Sequence, residues 1–205
     1  VKRNVWILAF VCLLIPVSAL AASIELTPTI GYRWGGEFSH LSLEGEAAEF
    51  SLDDSEEYGL IATFPVTPRI DFEFRWSHQG TDLTATPADA VGPTHVSADT
   101  YLGGLVFFIP VKSKTARPFL NVELGTTNYD MNDGFAGDAG FTYAVGGGSK
   151  FYFGDHFGLR VQGSYLSGNI PAGQDPICGP AGCYTATSRN SVGQFELTTG
   201  VIFKF

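Results

Sequence analysis

The feature that most constrains this chain is the period of its apolar residues. Beyond residue 23 they recur at every second position and not at the 3.6-residue spacing of an amphipathic helix. In the first run, Ile24, Leu26, Pro28, Ile30, Tyr32 and Trp34 share one face, and Glu25, Thr27, Thr29, Gly31 and Arg33 share the other. A soluble strand usually lasts about five or six residues. An alternation this long fits a tilted membrane strand of about 9–11 residues.

The pattern recurs seven more times. Tyr58, Leu60, Ala62 and Phe64 alternate with Glu57, Gly59, Ile61 and Thr63. Ile70, Phe72, Phe74 and Trp76 alternate with Asp71, Glu73, Arg75 and Ser77. A fourth run, about 97–109, is too apolar from Leu102 to Ile109 for its faces to be assigned. The fifth sets Leu120, Val122 and Leu124 against Asn121, Glu123 and Gly125. The sixth sets Phe141, Tyr143, Val145, Phe151 and Phe153 against Thr142, Ala144, Gly146, Gly148 and Lys150. The seventh sets Phe157, Leu159, Val161 and Tyr165 against Gly158, Arg160, Gln162 and Ser164. The eighth sets Phe195, Leu197, Val201, Phe203 and Phe205 against Gln194, Glu196, Thr198, Gly200 and Lys204.

Connections alternate in length. Short ones fall near 65–68, 110–117 and 154–156, and long ones near 35–56, 79–96, 128–140 and 167–191. Short periplasmic turns and long external loops characterise outer-membrane barrels. The expected fold is all-β: an eight-stranded antiparallel up-and-down transmembrane β-barrel over 23–205. Composition agrees. Charged residues make up 16% of the chain, below the roughly 25% usual in soluble domains, while aromatics reach 14%. A helical bundle and a disordered chain are both excluded. The net charge is −9 and no basic patch appears, which excludes nucleic acid as a partner.

Residues 1–22 read as a signal peptide. Lys2 and Arg3 precede an apolar run over 5–14, Pro16 breaks it, and Ala19-Leu20-Ala21 supplies small residues for cleavage after Ala21 or Ala22. That run is shorter than the ~20 residues a spanning helix needs.

With strand directions assigned, Trp34, Tyr58, Trp76, Tyr101, Tyr143 and Tyr165 fall at the outer ends and form an aromatic girdle. Phe64, Phe107, Phe119, Phe151, Phe157, Phe203 and Phe205 fall at the periplasmic ends. A soluble sandwich or lipocalin-like barrel would turn these rings inward, where a small barrel has little room for them.

The ending Val201-Ile202-Phe203-Lys204-Phe205 is similar to the terminal signature of bacterial outer-membrane barrels. The region 23–205 resembles the eight-stranded outer-membrane β-barrel domain family of the OmpA and OmpX type. The stretch Phe72-Glu73-Phe74-Arg75-Trp76-Ser77-His78-Gln79-Gly80-Thr81-Asp82-Leu83, the stretch Gly146-Gly147-Gly148-Ser149-Lys150 and the loop cysteine pair are similar to features of proteobacterial members of unassigned activity. The resemblance implies an integral outer-membrane location, surrounding lipid and lipopolysaccharide, and a barrel-assembly machinery that reads Phe203 and Phe205. It implies no single activity, because the family includes anchors, adhesins, small channels and a few enzymes.

The polar face should point into the barrel. It comprises Arg33, Glu57, Asp71, Glu73, Arg75, Glu123, Lys150, Arg160, Glu196 and Lys204. Eight strands enclose a lumen that side chains fill. Opposite charges there should pair, as a plug or as a gated polar path. Cys178 and Cys183 flank Gly179-Pro180-Ala181-Gly182 in the last loop. In an exported chain a loop-stapling disulfide is expected there. No His/Cys cluster points to zinc, and no cofactor is expected.

The first loop is acidic, with Glu37, Glu44, Glu46, Glu49, Asp53, Asp54 and Glu56. The third carries Asp130, Asn132, Asp133 and Asp138. These carboxylates form a solvated surface or bridge to lipopolysaccharide through divalent cations. Asp130-Met131-Asn132-Asp133-Gly134 misses the full calcium-loop spacing. Ser77 and His78 are adjacent in a strand and so face opposite sides, while His40, His95 and His156 have no Ser or acid partner evident in the sequence. The reading is a barrel without catalysis, with a structural or surface-interaction role and an unidentified surface ligand. The alternatives are a narrow channel for small or hydrophobic solutes and a lipid A-modifying enzyme.

Overall fold

The computed structural model describes residues 24–43, 46–86, 94–113, 115–131, 139–170, 177–179, 182–184 and 190–205, of which 37–43, 46–50, 83–86, 94, 131, 170, 177–179, 182–184 and 190 are described by their backbone alone. The expected signal peptide at 1–22, Glu44, Asn132, Asp133 and Asp138 lie outside the described residues.

The wall is built from β1 (Glu25–Leu43), β2 (Glu46–Leu52), β3 (Ser55–Thr67), β4 (Ile70–Thr86), β5 (Thr94–Phe108), β6 (Ala116–Met131), β7 (Ala139–Tyr152), β8 (Phe157–Ile170) and β11 (Asn190–Lys204). β2 and β3 run in the same direction and both pair with β1 and with β4, so together they make one strand position interrupted at Asp53 and Asp54. The wall therefore has eight positions, all antiparallel. It closes where β1 pairs with β11, from Glu25 opposite Lys204 to Phe38 opposite Val192, and Phe205 N donates to Ile24 O at 3.0 Å. Two short strands, β9 (Ile177–Gly179) and β10 (Gly182–Tyr184), form a separate hairpin between β8 and β11.

Alternation sets which way each side chain points. Outward, Ile30, Phe72, Phe74, Leu120, Leu124, Val145, Phe195 and Leu197 are exposed. Inward, Glu73, Lys150, Gln79 and Thr27 are wholly buried. This polarity is the reverse of a soluble barrel. Charges inside and a continuous apolar band outside are stable only with lipid around the band. The fourth run now has faces: Leu102, Val106 and Phe108 point into the lumen, while Tyr101, Leu105 and Phe107 point out.

Two expectations need correction. Phe119 is not in the periplasmic girdle. It shares the parity of Asn121 and Glu123, and its ring is buried in the lumen at 1% exposure. The long connections are also shorter than expected. β1 continues through Leu43, β4 through Thr86, and β5 begins at Thr94, because the ladder extends beyond the membrane span as paired hairpins. The first of these bends at Gly35 and Gly36, whose φ of 81° and 130° suit glycine. There Gly35 N donates to Asp54 Oδ1 at 3.0 Å, across the break between β2 and β3.

The curvature of so small a barrel brings neighbouring backbones close. A Cβ at Gly125 would overlap the Tyr101 carbonyl oxygen, and one at Gly148 would overlap that of Val161.

Candidate functional site

Among the described residues the lumen holds ten buried acidic and basic side chains: Glu25, Glu57, Asp71, Glu73, Glu123, Glu196, Arg33, Arg75, Lys150 and Arg160. They arrive from β1, β3, β4, β6, β7, β8 and β11, each at an inward position of its strand. They form two clusters.

The outer cluster centres on Arg33 and Arg75. Arg33 Nε donates to Glu196 Oε2 at 2.9 Å, and its Nη2 lies 2.6 Å from Glu57 Oε2. Further donation from Arg33 reaches Ser77 Oγ at 2.6 Å and Gln79 Oε1 at 3.3 Å. Arg75 Nη1 donates to Glu196 Oε1, and its Nη2 lies 2.8 Å from Glu123 Oε2. Glu196 thus bridges two guanidinium groups.

The periplasmic cluster centres on Glu73. Arg160 grips it with two donors, Nη1 to Oε1 at 2.6 Å and Nη2 to Oε2 at 2.7 Å. Such a fork fixes orientation as well as charge. Lys150 Nζ lies 2.9 Å from Glu73 Oε1, 3.0 Å from Glu25 Oε2 and 3.9 Å from Asp71 Oδ2. Thr63 Oγ1 donates to Glu73 Oε1 at 2.7 Å, and Tyr152 OH donates to Glu25 Oε1 at 2.8 Å. Two rings close this layer. Phe108 and Phe119 meet edge to face at 6.4 Å, with Arg160 over Phe119 and Arg117 over Phe108.

Beyond Arg33 the lumen changes character. Thr100, Thr127 and Thr142 link through hydroxyls at 3.0 and 2.8 Å. Ala98, Tyr129, Leu166 and Val192 are buried beside them. The cavity left among them is about 10 Å³, enough for one water.

Nine of the ten expected lumen charges are brought into these clusters. Lys204 is not. It is half-buried at the periplasmic mouth, with Nζ 5.7 Å above the Tyr152 ring and no ion pair among the described residues. Glu25 was missed as a network member. Its place on the polar face of the first run was a signal for it. The girdle residues Trp34, Tyr58, Tyr101 and Tyr143 are exposed on the outer wall, and Trp76 and Tyr165 are half-exposed there. Phe203 and Phe205 point outward at the barrel seam.

Two further pairs lie on the outer wall. His78 Nδ1 is 3.0 Å from Asp99 Oδ1, and His95 Nδ1 is 3.0 Å from Asp82 Oδ1. Trp76 Nε1 also donates to Asp99 at 3.3 Å. The acid partners absent from the local sequence come from the facing strand. In the loop hairpin, Cys178 stands directly opposite Cys183 in the backbone register. Among the described residues no group of three or more His, Cys, Asp or Glu is arranged to hold a metal.

No protein-family model and no curated protein sequence matches the chain. Solved structures do. Neisserial surface protein A, a crystal structure, aligns with a TM-score of 0.61 at 13% identity, covering 89% of this chain and 97% of that one. The outer-membrane protein OprG of Pseudomonas aeruginosa aligns at 0.60 and 14% identity, covering 90% and 96%. The outer-membrane protein AlkL, solved by solid-state NMR in lipid bilayers, aligns at 0.56 and 14% identity, covering 90% of each chain. With its inward charges, its apolar outer band and its eight closed wall positions, the chain has the fold of the eight-stranded outer-membrane β-barrels.

Proposed function

We propose that this chain is an integral outer-membrane barrel with a structural or surface-interaction role and no catalysis, presenting its external hairpins from a lumen closed by side chains. The filled lumen carries this reading. Two ion clusters, two packed phenylalanine rings and a threonine layer occupy it among the described residues, and the cavity between Arg33 and Tyr129 holds about 10 Å³. With the interior so occupied, the external end is the part left to meet a partner.

The external hairpins support it in a second way. The register of Cys178 against Cys183 suits a disulfide that would fix the β9–β10 hairpin. Its partners are outer-membrane lipid and lipopolysaccharide at the wall, the assembly machinery at Phe203 and Phe205, and an unidentified ligand at the loops.

A narrow channel is the second reading. Among the described residues, both polar atoms of Asn121 and the Oε1 of Glu123 are buried without a hydrogen-bond partner, a place where water could enter a polar path. Planar-bilayer recording separates the two. The closed-lumen reading predicts insertion without discrete conductance steps. A steady open level in the unaltered protein would establish the channel instead. A change in lipid A mass dependent on the protein would establish the lipid-modifying alternative.

A further inference from the structure

Among the described residues, the basic side chains outside the lumen lie at the periplasmic end. The β3–β4 turn carries Arg69, the 109–115 connection carries Lys112, and Arg117 and Lys204 lie at the adjoining strand ends. Asp155 is the one acidic residue in the periplasmic turns at 65–69, 109–115 and 153–156.

Two of these turns are tied into one platform. Phe108 N donates to Arg69 O at 2.9 Å, and Arg117 Nη2 donates to Pro68 O at 3.3 Å. Within the second turn, Ala116 N donates to Ser113 Oγ at 3.0 Å. Arg117 is held by its Pro68 bond and by the Phe108 ring 3.8 Å away. Arg69 and Lys112 are exposed and form no ion pair among the described residues. The same turns expose Val66, Ile109 and Val111, at 63%, 46% and 48%. Directly beyond them begins the lipid-facing wall, with Phe64 and Phe72 in ring contact at 6.4 Å.

Unpaired cations beside exposed aliphatic side chains, at the edge of an apolar band, match one kind of surface. A lipid headgroup layer offers negative charge and, a few ångströms deeper, hydrocarbon. Each basic side chain near an anionic membrane surface adds about fivefold to association at low salt. We propose that the linked β3–β4 and β5–β6 turns bind anionic phospholipid of the periplasmic leaflet, with Arg69 and Lys112 on the phosphate and Val66, Ile109 and Val111 against the glycerol and upper acyl region. This site is independent of the closed-lumen reading.

The test uses the full barrel in phosphatidylcholine bilayers with spin-labelled phosphatidylglycerol or spin-labelled phosphatidylcholine. Electron spin resonance then gives the relative association of the two lipids with the wall. The expected result is a preference for phosphatidylglycerol that weakens as salt rises. Arg69→Gln with Lys112→Gln should lower that preference at least threefold, and Arg69→Glu with Lys112→Glu should reverse it. Heat-modifiable gel migration shows that each variant is folded. An equal preference for the two lipids in the unaltered protein, or a preference that survives charge reversal in a folded barrel, would overturn the proposal. So would full displacement by millimolar inorganic phosphate, which would mark a site for the free ion.

Discussion

Replacing Arg75 by Leu should destabilise the barrel far more than replacing Glu123 by Leu, although the two side chains form one ion pair 2.8 Å apart. The asymmetry follows from their other partners. Glu196 has a second cation in Arg33, at 2.9 Å, and keeps it when Arg75 is lost. Glu123 has Arg75 as its one ion-pair partner among the described residues, and its side chain is 1% exposed. Arg75→Leu therefore leaves a buried carboxylate uncompensated, at a cost of about 3–5 kcal/mol. Glu123→Leu leaves Arg75 still bound to Glu196 and forfeits one contact, at about 1–2 kcal/mol. The double replacement removes the stranded charge and should recover at least about 2 kcal/mol relative to Arg75→Leu. Urea unfolding of the barrel in lipid vesicles, followed by tryptophan fluorescence and by gel migration, measures all three variants. Equal losses for the two single replacements, or a double variant no more stable than Arg75→Leu, would refute the reasoning.

Other outcomes follow from the same geometry. Leu197→Arg, on the lipid face, should cost about 2–4 kcal/mol if it sits near the bilayer midplane, measured by the same unfolding assay. Thr198→Arg points into the occupied lumen and should instead block assembly or displace the Arg33 cluster, read as loss of the heat-sensitive gel band. Gly148→Val should prevent closure of β7 on β8, because its side chain would overlap the Val161 carbonyl, and should reduce the yield of refolded barrel. Changing both Cys178 and Cys183 to Ser should leave the barrel inserted and raise protease cleavage of the last external loop. Two free thiols in unreduced protein isolated from an oxidising compartment would remove the disulfide on which that outcome depends.

Much of this fold was legible because a strand of a membrane barrel writes its two environments into alternate residues. Arg33, Glu73 and Glu196 could be placed inside by parity alone. The failures have equally local causes. Ring type alone points Phe119 to the girdle, whereas its parity with Asn121 and Glu123 places it inside. Leu102, Val106 and Phe108 were ambiguous because this lumen is lined partly by apolar side chains, which erases the contrast between faces. The His78–Asp99 and His95–Asp82 pairs depend on cross-strand register, which a single strand's sequence does not contain. The paired extensions beyond the membrane were hidden because polar residues such as Gln79 and Thr81 look like loop residues when the strand rises above the bilayer.

The wall is turned inside out relative to a soluble barrel, lipid outside and charge within. Paramagnetic accessibility along β11 tests it directly. In a background without Cys178 and Cys183, single cysteines at positions 194–203 carry a nitroxide label in reconstituted bilayers. Labels at 195, 197, 199, 201 and 203 should relax strongly with lipid-dissolved oxygen, and labels at 194, 196, 198, 200 and 202 in folded protein should not. Accessibility without a period of two, or with the even positions facing the lipid, would contradict it.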